Sequence, residues 1–170
     1  MNADGTKSSV NQQPLTRVPG TMRAILLREF GGSELLKLEE VPAPNPGSLD
    51  EHDVLIQTRA CGVCYHDIIN RRGDLPRTRV PLILGHEIAG DVIAVGDAVQ
   101  SFRPGDRVAC VQRVHCNSCD ICQGNRPTLC KNGMFFGEQI PGGYAEYAVS
   151  PAHGLSRIPD SIPYTEASIC

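Results

Sequence analysis

Residues 116–130 read Cys-Asn-Ser-Cys-Asp-Ile-Cys-Gln-Gly-Asn-Arg-Pro-Thr-Leu-Cys, four cysteines in the pattern C-x2-C-x2-C-x7-C on a stretch with almost no apolar side chains to bury. A segment that cannot exclude water with its own side chains must find the free energy of ordering elsewhere. Four soft ligands this close together suit closed tetrahedral coordination of Zn(II), whose binding energy then becomes folding energy. With four protein sulfurs no coordination position stays open, so such an ion is structural. The alternatives are an iron–sulfur cluster and disulfides. The bacterial ferredoxin run has C-x2-C-x2-C-x3-C-P spacing, with a shorter last interval than the one here.

The rest of the chain agrees with thiols held by metal. Of its 170 residues, eight are cysteines, and the opening stretch MNADGTKSSVNQQPLTRVPG is polar and has no apolar core of a secretory signal. A cytoplasmic location is the expectation, and there cysteines stay reduced. An apolar fraction of 41% with 21% charged residues is ordinary for a globular chain. The net charge of −3 offers no cationic surface for nucleic acid or an anionic membrane, and no apolar run reaches the ~18 residues of a membrane span. Seventeen glycines and thirteen prolines punctuate short segments, which points to a mainly β structure with short helices.

Local patterns place the elements. Residues 1–20 lack apolar periodicity and are expected to be a flexible tail. Met22–Arg28 and Leu35–Val41 flank Phe30-Gly31-Gly32-Ser33 as a hairpin would. Asp53–Ala60 alternates Val54, Ile56 and Thr58 against Leu55, Gln57 and Arg59, a strand. After Cys64, the order Tyr65, Ile68, Ile69, Arg72 predicts a short helix stopped by Gly73. Ile88–Val95, Arg107–Val111, Tyr144–Val149 and Leu155–Ile158 read as further strands, and Tyr164–Cys170 begins a helical pattern.

Outside the cysteine lobe stand Cys64, His86 followed by Glu87, and Cys170, the last residue. Two sulfurs and one imidazole leave a fourth position for water or an alcohol oxygen, the ligand set of a catalytic zinc. Singly, each has a plainer reading: a buried cysteine is usually a small apolar residue and a lone histidine a satisfied polar one. Cys61 and Cys110, in apolar strand-like sequence, keep that plain reading. None of the glycine pairs follows a strand as G-x-G-x-x-G and opens a helix, so no dinucleotide cradle is encoded.

Taken together, the motifs carry a resemblance. They are Cys-Gly-Val-Cys-Tyr-His-Asp at 61–67, Leu-Gly-His-Glu and Ile-Ala-Gly within 84–90, Val-Gly at 95–96, Pro-Gly-Asp-Arg-Val at 104–108, the four-cysteine lobe, and Gly-Gly-Tyr-Ala-Glu-Tyr at 142–147. The chain resembles, from about Met22 to Cys170, the N-terminal GroES-like domain of the zinc-dependent medium-chain dehydrogenase/reductases, the alcohol dehydrogenases. The resemblance implies a partly open β-barrel over residues 21–170 carrying a structural zinc lobe at 112–134, with no Rossmann domain before the chain ends. It implies two zinc ions: one on Cys64, His86 and Cys170 with Glu87 nearby, the other on Cys116, Cys119, Cys122 and Cys130. Asp67 would orient His86, fixing its tautomer and strengthening it as a ligand.

The implied activity is hydride transfer between a small alcohol or carbonyl and NAD or NADP, the nucleotide being bound only in the complete enzyme. The isolated chain is expected to be inactive, and a separate Rossmann-domain chain and a homo-oligomer are both compatible with it. A non-enzymatic, zinc-stabilised binding module is the alternative. Two positions depart from the family pattern. His66 stands two residues after Cys64, where a Ser or Thr hydroxyl commonly passes the alcohol proton, and Ile69 replaces an outer histidine. His66 is a candidate proton carrier, since imidazole exchanges protons near neutral pH, with a plain structural role as the alternative.

Overall fold

The computed structural model describes residues 18–169; most of the expected tail over 1–20, and Cys170, lie outside them. The two apolar stretches around the glycine turn pair antiparallel as β1 (Thr21–Leu27) and β2 (Leu36–Pro42), with Thr21 opposite Pro42 and Leu27 opposite Leu36. Met22, Ala24 and Leu26 of β1 alternate inward, as a strand with one covered face requires.

The central strand is β3 (Asp53–Gly62). Its alternation divides two cores. Val54 and Ile56 pack with Val92, Phe102, Val108 and Leu155, whereas Leu55 faces the other way into Met22, Ala24, Leu26, Ile83 and Tyr147. Both faces of the strand are therefore covered, and all three side chains are fully buried. Truncating Ile56 to Ala should cost about 2–5 kcal/mol, because a gap left in a packed core cannot collapse completely. A urea midpoint shifted by less than about 1 kcal/mol equivalent would contradict that placement.

After β3, α1 (Tyr65–Arg72) leads to β4 (Leu82–Ile83), a two-residue strand on the edge of β1 that completes a three-stranded sheet ordered β2-β1-β4. The five-stranded sheet is built by β5 (Glu87–Val95), β6 (Arg107–Cys110), β9 (Tyr147–Pro151) and β10 (Leu155–Arg157) around β3, in the order β10-β6-β5-β3-β9. Register slips in the β3–β5 ladder at Leu55/Ile56 and Thr58/Ala60 bend the sheet. Residues 144–146 cross between the sheets: Ile25 N–H donates to the Tyr144 carbonyl at 2.7 Å, Glu146 N–H to Arg23 O at 3.1 Å, and Thr58 N–H to Glu146 O at 3.0 Å. The sheets meet without closing, the partly open architecture expected.

The cysteine lobe leaves this body through a two-stranded ribbon, β7 (Arg113–Val114) with β8 (Met134–Phe135), and contains one helical turn, α2 (Asp120–Gln123). A last short helix, α3 (Tyr164–Ala167), packs Ala167 against Ala89 and Ile158. Among the described residues no helix is long and apolar enough to cross a membrane.

Candidate metal centres

Between Cys116 and Cys130 the buried side chain is that of Cys130 alone, so no apolar core holds the lobe. Instead the four sulfurs converge. Cys116 and Cys122 are 3.9 Å apart, as are Cys119 and Cys130, while Cys119–Cys122 and Cys116–Cys130 are 3.5 Å. Thiolates about 2.3 Å from a tetrahedral ion lie roughly 3.8 Å from one another, so the donor set fits zinc. The backbone is shaped for this: Asn117 and Asn125 adopt φ of 55° and 58°, a left-handed conformation that asparagine tolerates better than most residues. The Cys116 N–H points at Cys130 Sγ at 3.4 Å, and Arg113 donates to the carbonyls of Thr128, at 2.9 Å, and Cys130. The Ser118 N–H and hydroxyl hold the Cys116 thiol down to about 5, while lost hydration and neighbouring thiols push Cys122 up to about 12.

The second group is assembled from β3, α1 and the turn before β5. Cys64 is the N-cap of α1: its Sγ accepts from the His66 N–H at 3.3 Å, and its own N–H donates to Asp67 Oδ2 at 3.1 Å. This reciprocal pattern satisfies donors that a helix start leaves open. Gly73 ends the helix in the left-handed region at φ 81°, as its position in the sequence predicts. The helix start thus sets the sulfur's direction.

His86, 3% exposed, turns its Nε2 toward Cys64 Sγ at 3.1 Å and Glu87 Oε1 at 4.0 Å, and its Nδ1 toward Asp67 Oδ1 at 3.4 Å. Although Asp67 lies near both Cys64 and His86, it stands behind the ring. An ion on Nε2 would meet sulfur and the Glu87 carboxylate, while Asp67 fixes the ring from the far side. Burial would raise the Asp67 carboxyl, but His86, the Cys64 N–H and the Tyr144 hydroxyl outweigh it and hold the group below the usual carboxylate range. In turn the Asp67 carboxylate beside Nδ1, working against burial, raises the proton affinity of His86. A stronger base at Nε2 is a stronger ligand.

His66 is half-buried, its ring stacked on Phe135 with centroids 5.8 Å apart and edge-on to His86 at 5.1 Å. Its Nε2 lies 3.3 Å from Glu138 Oε2, although without the alignment of a good hydrogen bond. Glu138 itself is 6% exposed, and no sequence signal marks it; it lies 72 positions from His66 in a stretch with no motif. Cys61 and Cys110 pack against Ile88, Val114, Phe136 and Ala148, and burial pushes both thiols up to about 12, which leaves them as small apolar residues.

Cys170 lies outside the described residues, but its neighbour is tied to the site. Arg107 donates to the carbonyls of Pro159 at 2.8 Å and Ile162 at 2.6 Å, and its guanidinium lies 4.3 Å over the Tyr164 ring. The Tyr164 hydroxyl donates to Asp91, which also holds Arg59 at 2.7 Å. So anchored, α3 carries Ile169 against Gly62, where a Cβ would meet the Ile169 side chain at 2.8 Å and would also strike Glu87 Oε2. Ile169 thus lies beside the strand ends that carry Gly62 and Glu87.

The alcohol dehydrogenase GroES-like domain family matches residues 50–160. An alcohol dehydrogenase of Geobacillus stearothermophilus is 37% identical over 149 residues, covering 86% of this chain and 42% of its own length. Among solved structures, AibC superposes with a TM-score of 0.82 at 47% identity, over 97% of this chain and 44% of that one. An NAD-dependent alcohol dehydrogenase superposes at 0.80 with 33% identity, over 86% and 42%. The chain thus spans less than half the length of each of these proteins.

Proposed function

This chain belongs to the alcohol dehydrogenase GroES-like domain family, and from that premise we propose that it is the zinc-binding catalytic part of an NAD(P)-linked alcohol dehydrogenase-like oxidoreductase. The substrate class is a small alcohol or carbonyl compound. The observation that carries this reading is the His86 ring, buried with Asp67 on one nitrogen and with Cys64 and Glu87 grouped about the other. In the reading, Cys64, His86 and Cys170 hold one zinc. Cys116, Cys119, Cys122 and Cys130 hold a second, within a lobe spanning 112–134 of a domain over 21–170.

The first zinc, when bound, would supply Lewis acidity toward the substrate oxygen, and a nicotinamide would serve as the hydride acceptor or donor. The chain's own residues do the rest. Asp67 occupies the Nδ1 side of His86 and so keeps the Nε2 lone pair directed at the ion. Glu87, half-buried at 4.0 Å from Nε2, would be a further carboxylate within reach of an ion on that nitrogen. His66, seated on Phe135 with Glu138 beside its Nε2, is the group we assign to carry the substrate proton outward. The hydroxyl relay of the familiar enzymes is replaced here by an imidazole backed by a buried carboxylate.

Dinucleotide binding falls to residues outside 21–170, so the isolated chain is inactive in this reading. The test is NAD(P)H absorbance with a panel of primary and secondary alcohols and the matching carbonyls. The zinc-loaded full-length product should turn over at least one of them, and the chain of residues 1–170 none. Turnover by the short chain would overturn the division of labour. A folded, zinc-loaded full-length protein inert to the whole panel would overturn the reading.

A further inference from the structure

Tyr144 stands apart from every residue given a role so far, yet it touches all three segments that build the substrate-side metal group. Its backbone is fixed where residues 142–146 cross between the sheets: Gly143 N–H donates to Gly85 O at 2.9 Å and Tyr144 N–H to Leu84 O at 3.0 Å. Its ring lies on the backbone one residue before His86. Gly85 has φ of +92°, and a Cβ there would meet Tyr144 Cδ1 at 2.6 Å and Cys61 Sγ at 2.8 Å. Glycine at 85 therefore makes the seat for the ring as well as allowing the turn.

From that seat the hydroxyl donates to Asp67 Oδ2 at 2.9 Å and lies 3.4 Å from the Gly62 carbonyl in the loop leading to Cys64. The Asp67 carboxylate is thereby gripped on both oxygens: Oδ2 by the Cys64 N–H and the phenol, Oδ1 by the Gly85 N–H at 3.2 Å and the His86 ring. Burial, and then the Asp67 charge, push the Tyr144 phenol well above its ordinary range, so it stays protonated and remains a donor. The phenol is the sole side-chain donor on Oδ2 among the described residues, so removing it leaves that oxygen to the Cys64 N–H alone and loosens the hold on the carboxylate. A cavity of about 390 Å³ lined by Ile25, Leu36, Asp67, Ile68, Leu84 and Tyr144 lies beside the pair.

We propose that Tyr144 is a positioning residue for the metal held by Cys64 and His86: through Asp67 it holds the imidazole at the spacing one ion needs. The proposal rests on the reading of Cys64 and His86 as ligands. Partners at this distance from a metal typically change its affinity 10- to 100-fold.

The test uses the full chain loaded with Co(II), with affinities from competition against a chelator and the visible spectrum of the bound ion. Tyr144→Phe keeps the ring on its seat and deletes the hydroxyl. It should lower affinity for the ion at Cys64 and His86 about tenfold and shift the cobalt bands, while the four-cysteine ion is retained unchanged. In an Asp67→Asn background the same deletion should cost nothing further, because the phenol acts through the carboxylate. Affinity and spectrum unchanged in Tyr144→Phe, or an equal loss in both backgrounds, would overturn the proposal. If that variant does not fold, Tyr144→Leu is read in the same way. A native chain that binds only one Co(II) would sink the ligand reading itself, a result distinct from either of these.

Discussion

Replacing Cys130 by serine should reduce the zinc content from two ions to one and melt residues 112–134, while the two sheets keep their order. Cys130 is the buried member of the lobe, its Sγ 3.5 Å from Cys116 and 3.9 Å from Cys119, and it also receives the Cys116 N–H. Loss of that sulfur opens a site whose binding free energy is on the order of 10 kcal/mol or more. Nothing else replaces that energy: the remaining residues of the lobe, from Cys116 to Leu129, are solvent-exposed or half-buried. The β7–β8 ribbon at the lobe's base and the Arg113 bonds to the Thr128 and Cys130 carbonyls are too few to hold it. The sheets are spared because their cores, around Leu55 and Ile56, draw no side chain from the lobe proper. Hydrogen exchange resolves the two regions. Amides of 112–134 should lose protection by orders of magnitude and those of β3 and β5 should not. Protection retained throughout the lobe would mean that its order does not depend on metal.

The second large effect falls on catalysis. His86→Ala in the full-length protein should lower kcat roughly 10³-fold or more, since metal stabilisation of developing charge contributes several kcal/mol and each 1.36 kcal/mol is a factor of ten. The substitution removes the Nε2 donor facing Cys64 and leaves Asp67 a buried carboxylate without its imidazole. The lobe ion should remain, because no lobe sulfur belongs to the His86 group. A variant that keeps kcat within tenfold of the native enzyme would exclude His86 from the reacting metal's ligands.

Much of this was legible in the residues, for identifiable reasons. Alternation located β3, apolar runs of strand length bounded by turn residues located β1, β5 and β6, and Gly73 marked the end of α1 because a left-handed cap favours glycine. The spacing of the lobe cysteines was informative because their convergence is local, within fifteen residues. What stayed hidden depends on long-range packing. The expected strand from Tyr144 begins instead at Tyr147, since residues 144–146 are diverted to β1, with Ala24 bridged to Ala145. Two-residue strands such as Leu82–Ile83 are too short for any period to register. Glu138 and Tyr144 escaped as site residues because their partners, His66 and Asp67, lie 72 and 77 positions away. Tyr144 did stand inside a motif, Gly-Gly-Tyr-Ala-Glu-Tyr, but its hydroxyl contact with Asp67 exists only once the sheets have met.

The most direct measurement is the metal content of three purified proteins: the native chain, Cys64→Ser and Cys130→Ser. Two separate donor sets, one closed by sulfur and one built on Cys64 and His86, predict two, one and one zinc ions per chain. Two ions retained by Cys64→Ser, or a native chain that never takes up more than one, would contradict it.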